Sequence, residues 1–115
     1  MYKIIFKGNP ISTQHAYKNH GHIRYMTAEA KAKKEQYQWE AKTQFKKKPF
    51  ENNVCVELKY YFSDNRKRDI DNVEKLVFDG CNEIVWKDDN LIKELHIYLL
   101  KDKENPRIEM TLYKL

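Results

Sequence analysis

Glycine and proline are scarce in this 115-residue chain, with three of each. That excludes a Gly-rich phosphate-cradling loop and any collagen-like or Pro/Gly low-complexity tract. There are only two serines, Ser12 and Ser63, so no Ser–His–Asp nucleophile can be argued. The two cysteines, Cys55 and Cys81, are too few for a secreted disulfide scaffold and read as reduced, buried thiols in apolar surroundings. Apolar runs such as Ile4-Ile5-Phe6 last only a few residues, so no membrane-spanning helix is expected. The opening segment, residues 1–7, regains charge too soon to be a signal peptide.

Aspartate is absent from the first 63 residues, and all seven lie between Asp64 and Asp102. Residues 1–50 carry eleven Lys and Arg against three Glu, a surplus of eight. Residues 51–115 carry eleven against fourteen acids, a deficit of three. A cationic segment can neutralise the phosphates of a polyanion, and a carboxylate segment can hold a hard divalent cation. Charge runs are more often simply solvated faces.

With 41% hydrophobic and 13% aromatic residues, the chain has enough apolar mass for a modest core. Its length suits one domain, residues 1–115. A domain this small leaves roughly a third of its unfolded surface exposed, so a dimer interface would help it. Residues 2–7 read as a strand ended by Gly8-Asn9-Pro10. Residues 11–22 are polar and irregular, and 23–26 form a short strand in a loose hairpin. Thr27 caps a helix reaching Phe45, with Ala30, Tyr37, Ala41 and Phe45 on its apolar side. Residues 53–62 alternate as a strand. Val73, Leu76, Val77, Gly80, Cys81 and Ile84 form an amphipathic stripe on a second helix. Two further strands, 91–100 and 107–113, read as a hairpin around 101–106. The expected fold is α/β (α+β): a small mixed sheet with two main helices in the order β(β)αβαββ.

The chemistry-bearing residues fall in two clusters, Arg68-Asp69-Ile70-Asp71-Asn72-Val73-Glu74-Lys75 and Trp86-Lys87-Asp88-Asp89. In an extended segment Asp69 and Asp71 point to one face, within reach of one cation. In a helix they diverge by about 200°, so a shared metal requires the helix to begin near Asp71. Lys75 and Asp79 then continue the Asp71 face. The plainer readings are a capping box, Asp71-x-x-Glu74, and an i,i+4 charge ladder. Asp69 is harder to explain as a cap, because a helix needs only one. Asp88-Asp89 reads as a turn whose adjacent charges repel unless something positive is near. Carboxylates brought together suit Mg²⁺ or Mn²⁺, which polarise a phosphodiester, and a neighbouring lysine stabilises developing negative charge. The residue types therefore fit metal-dependent phosphodiester hydrolysis. Glu57-Leu58-Lys59 resembles the E-x-K of restriction-type nucleases, but no aspartate precedes it, so these two read as exposed strand residues. His15, His20 and His22 lack a paired ligand spacing and read as polar loop residues.

The run Arg66-x-Arg68-Asp69-Ile70-Asp71-Asn72-x-x-Lys75, then Phe78-Asp79-Gly80, then Val85-Trp86-x-Asp88-Asp89, closely resembles the RusA family of Holliday-junction resolvases. The likeness is sharpest over about 24 residues and weaker along the rest of the chain. It implies a Mg²⁺-dependent endodeoxyribonuclease of mixed α/β fold. It implies a homodimer that resolves four-way DNA junctions by paired symmetric nicks in recombination and repair. Asp69, Asp71 and Asp89 would then be the catalytic, metal-binding carboxylates, with Asp88 as companion acid and Lys75 as catalytic lysine. Arg66, Lys67, Arg68, Lys18 and Arg24 would contact DNA. Such a protein would work in the cytoplasm of a bacterium or phage-infected cell, with branched DNA as partner and neither a membrane nor a small-molecule cofactor. The first loop departs from the family: many members carry Pro-Pro-Ser or a basic run, where this chain has Asn9-Pro10-Ile11-Ser12-Thr13-Gln14. Two other readings stay open: a DNA-binding accessory protein whose acidic motif is structural, and a nuclease for flaps and forks.

Overall fold

Alternation along residues 54–62 sets the centre of the sheet. Val54, Val56, Leu58, Tyr60 and Phe62 are all buried on one face. A strand this apolar is best placed with a neighbour on each side. The computed structural model describes residues 1–11, 17–70 and 73–115, without the side chains of Tyr17, Ile23 and Arg24. Its elements are β1 (Tyr2–Lys7), β2 (Tyr17–His20), β3 (Ile23–Met26), α1 (Ala28–Gln44), β4 (Val54–Phe62), α2 (Lys75–Cys81), a 3₁₀ turn (Asp89–Leu91), β5 (Ile92–Lys101) and β6 (Arg107–Lys114). The main sheet has the order β1-β6-β4-β5. β6 runs antiparallel to both β1 and β4, while β4 and β5 are parallel.

The mixed fold with two helices is as expected, but two details differ. β5 and β6 do not form a hairpin, because β4 lies between them and residues 102–106 carry the chain past it. The exposed strand β5 takes the edge and the buried β4 the middle. In addition, the polar segment 17–20 is a strand, not irregular. It pairs with β3 across Gly21, whose φ of 63° suits a tight turn.

Thr27 caps α1, its hydroxyl accepting from Ala30 N at 3.2 Å. Ala30, Tyr37, Ala41 and Phe45 are buried, as the spacing predicts, whereas Trp39 is 68% exposed. The helix also closes the free edge of β1. Gln44 accepts from Ile5 N and donates to Ile5 O, both at 2.8 Å. Glu40 accepts from Lys7 N and Gln36 donates to Lys7 O, again at 2.8 Å. One side chain per helical turn thus satisfies an edge that would otherwise invite another strand.

Both helices share their core with the inner face of the sheet, and the packing is close. Phe6 meets Tyr37 edge-on at 5.2 Å and Phe78 meets Trp86 edge-on at 5.6 Å. A Cβ added at Gly80 would lie 3.0 Å from Tyr37 Cβ, so glycine is what lets α2 rest on α1. Cys55 and Cys81 are both buried and unbridged. Among the described residues, no helix is long and apolar enough to cross a membrane.

Candidate active site

Past the end of β4 the chain turns at Ser63-Asp64. Asp64 Oδ1 accepts from Arg66 N at 3.0 Å, an Asx turn, and binds Arg68 Nη1 at 2.9 Å. The Arg68 guanidinium lies 3.8 Å from the Phe62 ring centroid. Its hydrogen bond holds the Asp64 carboxyl below the usual carboxylate range. Arg68 is thus oriented by a stack and an ion pair, whereas Arg66 and Lys67 are exposed.

The next fixed point is Val73. The buried Tyr60 hydroxyl donates to Val73 O at 2.9 Å, tying the approach to α2 onto the central strand. This bond bears on where the helix starts. The expected start near Asp71 is not where the helix begins: α2 starts at Lys75, with Glu74 as N-cap residue and no side-chain capping bond from it. The capping-box reading, Asp71-x-x-Glu74, falls on Asp71, which lies outside the described residues. Val73 O accepts from Tyr60, and the first helical bond runs from Phe78 N to Glu74 O at 3.0 Å. Lys75 opens the helix and pairs with Asp79 at 3.7 Å, the i,i+4 contact anticipated from the spacing.

At the other end of α2, Glu83 takes a left-handed φ of 67° and the chain doubles back. The fully buried Trp86 donates from Nε1 to Asn82 Oδ1 at 2.8 Å. The Asn82 side chain in turn lies near Asp89 and favours its charged form. The tryptophan of W-x-D-D therefore fixes Asn82 beside the second aspartate. Asp88 Oδ1 accepts from Asn90 N at 3.0 Å and starts the 3₁₀ turn on which Asp89 sits. The Asp89 carboxyl is pushed up, first by burial and then by its contact with Asp88, with the Asp79 charge adding to it. Among the described residues, no lysine or arginine forms an ion pair with Asp88 or Asp89.

These pieces border an open cleft of about 400 Å³ lined by Glu74, Lys75, Phe78, Asp89, Ile92, Lys93 and Leu95. The register between β4 and β5 shifts here, from Val54↔Ile92 to Cys55↔Glu94, leaving Lys93 unpaired at the cleft. A second groove of about 220 Å³, at the far end of β5, includes Asp64, Arg66, Arg68 and Lys101.

The structure thus brings Lys75 and Asp89 together, with Asp79 and Asp88 beside them. Asp69 is exposed on the segment leading to α2 and does not line the cleft. Asp71 lies outside the described residues, as do His15 and the Arg24 side chain, while Lys18 is exposed on β2. Glu57 and Lys59 pair with each other at 3.5 Å on the outer face of β4. Sequence reasoning missed Asn82 and Lys93. It noted Glu74 only as a partner for a cap. The i,i+4 spacing of Asn82 and Trp86 was the one available signal for their bond.

The donor set at Asp79, Asp88 and Asp89 is all carboxylate oxygen, which suits Mg²⁺ or Mn²⁺. The raised Asp89 carboxyl fits the same reading, since a nearby cation offsets both the burial and the like charges.

Comparison with known proteins points the same way. The family profile described as endodeoxyribonuclease RusA matches residues 7–113. A curated protein of Aquifex aeolicus (strain VF5), crossover junction endodeoxyribonuclease RusA, is 39% identical over 59 residues. That match spans 50% of this chain and 47% of the relative, about half the length of each. With the profile covering nearly the whole sequence, the chain belongs to the endodeoxyribonuclease RusA family.

Proposed function

We propose that the protein is a divalent-metal-dependent endodeoxyribonuclease that resolves four-way DNA junctions. In this reading residues 1–115 act as one nuclease domain, paired in a homodimer that nicks two strands symmetrically in recombination and repair. The observation that carries it is the juxtaposition of Lys75 and Asp89, flanked by Asp79 and Asp88, at an open cleft in a chain of this family.

Asp89, with Asp88 as companion, would hold Mg²⁺ at the cleft, or Mn²⁺ in its place, and Asp69, which lies outside the cleft lining, and Asp71 would join them on metal binding. The bound ion supplies Lewis-acid polarisation of the scissile phosphodiester. The chain's own groups do the rest. Lys75 presents a cation to the cleft where charge develops on the phosphorus oxygens, and Asp79 orients it at 3.7 Å. Asn82, held by Trp86, favours the charged form of Asp89. Arg66, Lys67 and Arg68 contact DNA phosphates along the segment between the two grooves, with Lys18 and Arg24 extending the footprint from the β2–β3 hairpin. The exposed Tyr98 and Leu100 on edge strand β5 supply apolar surface for a second copy. The substrate is branched DNA in the cytoplasm of a bacterium or phage-infected cell.

The test is to incubate the protein with Mg²⁺ and, separately, a mobile four-way junction, a flap and a linear duplex. Paired symmetric nicks in the junction alone support the proposal. Preferred cutting of flaps makes the protein a general branched-DNA nuclease, and binding without cutting makes it an accessory factor.

A further inference from the structure

Both helices rest on one face of the main sheet, and the opposite face holds a group of side chains that the nuclease reading does not use. Cys55 on β4 alternates with the core-facing Val54 and Val56, so its thiol points to that outer face. In the parallel β4–β5 register, Cys55 stands opposite Glu94, and Glu57 opposite His96. Glu94 and His96 are two apart on β5 and share the face. The result is one thiol sulfur, one carboxylate oxygen and one imidazole nitrogen, all within 4.8 Å of one another. Although it lies on the outer face, Cys55 is only 2% exposed, while Glu94 and His96 above it are exposed. Across the sheet, Tyr113 pairs with Cys55 in the β6 register.

We propose that Cys55, Glu94 and His96 form a second metal site, distinct from the carboxylate cleft, for a borderline divalent cation of the zinc type. A mixed sulfur, nitrogen and oxygen donor set suits such an ion and does not suit Mg²⁺, which takes oxygen donors. Two ligands from one strand and one from its neighbour leave a coordination position open to water. The three ligand atoms already lie within 4.8 Å of one another, with Glu94 and His96 exposed beside the buried thiol. The bound ion clips edge strand β5 to central strand β4 beside the register shift, and so stabilises the strand that carries Ile92, Lys93 and Leu95 at the cleft.

The probe is Co²⁺, followed by Zn²⁺ in competition, on the full chain. The expected result is one equivalent of Co²⁺ giving a thiolate-to-cobalt charge-transfer band that Zn²⁺ abolishes. Cys55→Ser should remove the band. His96→Ala should weaken binding at least tenfold, and Asp89→Asn should leave it unchanged. If Cys55→Ser does not fold, His96→Ala and Glu94→Gln, both at exposed positions, decide the matter. Absence of a thiolate band at millimolar Co²⁺ overturns the proposal. So does a band that keeps its wild-type affinity in both exposed variants, or one lost in Asp89→Asn. None of these readings uses DNA cleavage, so the site can fail or stand independently of the nuclease.

Discussion

Replacing Tyr60 with phenylalanine removes one oxygen from the interior and almost no volume. The Tyr60 hydroxyl is fully buried and donates to Val73 O at 2.9 Å. Burial pushes its pKa well above the ordinary tyrosine value, so it remains a donor throughout the working pH range. The variant leaves a buried carbonyl without that donor, which costs about 1–3 kcal/mol, more than the net worth of an average hydrogen bond. In a domain of this size each kcal/mol lowers the thermal midpoint by about 4 °C. Urea unfolding should therefore show a lower midpoint with an unchanged slope. Tyr98→Phe, at an exposed tyrosine, is the control and should change little. Because Val73 leads directly into Glu74 and Lys75, Tyr60→Phe should also slow junction nicking more than it weakens junction binding. A variant within about 0.5 kcal/mol of wild type would refute the claim that this bond anchors the approach to α2.

Three further outcomes follow from the same geometry. Lys75→Ala should lower the single-turnover nicking rate by about 10²–10³, the scale of losing one charge-stabilising group, while a gel-shift assay shows unchanged junction affinity. Gly80→Val should destabilise by about 1–3 kcal/mol in urea melts, as overpacking does, because its Cβ would already lie 3.0 Å from Tyr37 Cβ. Glu109 is held below the usual glutamate range, first by its hydrogen bond from Arg107 and also by Lys3. Its contribution is thus fully present above the unfolded glutamate pKa and is lost as pH falls through the depressed folded value. Glu109→Gln should flatten the acid limb of a plot of stability against pH.

What could be read from the sequence was what local chemistry controls. Thr27 and the period of Ala30, Tyr37, Ala41 and Phe45 identify α1 because cap and stripe lie within one helix. The stripe from Val73 to Cys81 likewise marks the face that α2 buries. Strand order was not legible in that way. A hairpin and a crossover place the same residues in strands, and burial competition between β4 and β5 decides between them. The helix start was misjudged for a similar reason, since the Tyr60–Val73 bond spans 13 residues and leaves no local pattern. At the site, Lys75 and Asp89 were visible as motif residues. Arg68 read as a DNA contact, and its stack on Phe62 and bond to Asp64 emerge only when the turn closes. Lys93 reaches the cleft through a register shift between parallel strands, a feature no single-strand pattern predicts.

The central claim is that the acidic motif performs chemistry and does not merely shape the chain. The most direct measurement compares Asp89→Asn and Asp71→Asn with wild type on one mobile four-way junction in Mg²⁺, scoring binding and strand cleavage in the same samples. The account predicts wild-type binding with cleavage abolished in both variants, and no cleavage by wild type in EDTA. Cleavage that persists in either variant, or binding lost in step with cleavage, would contradict it.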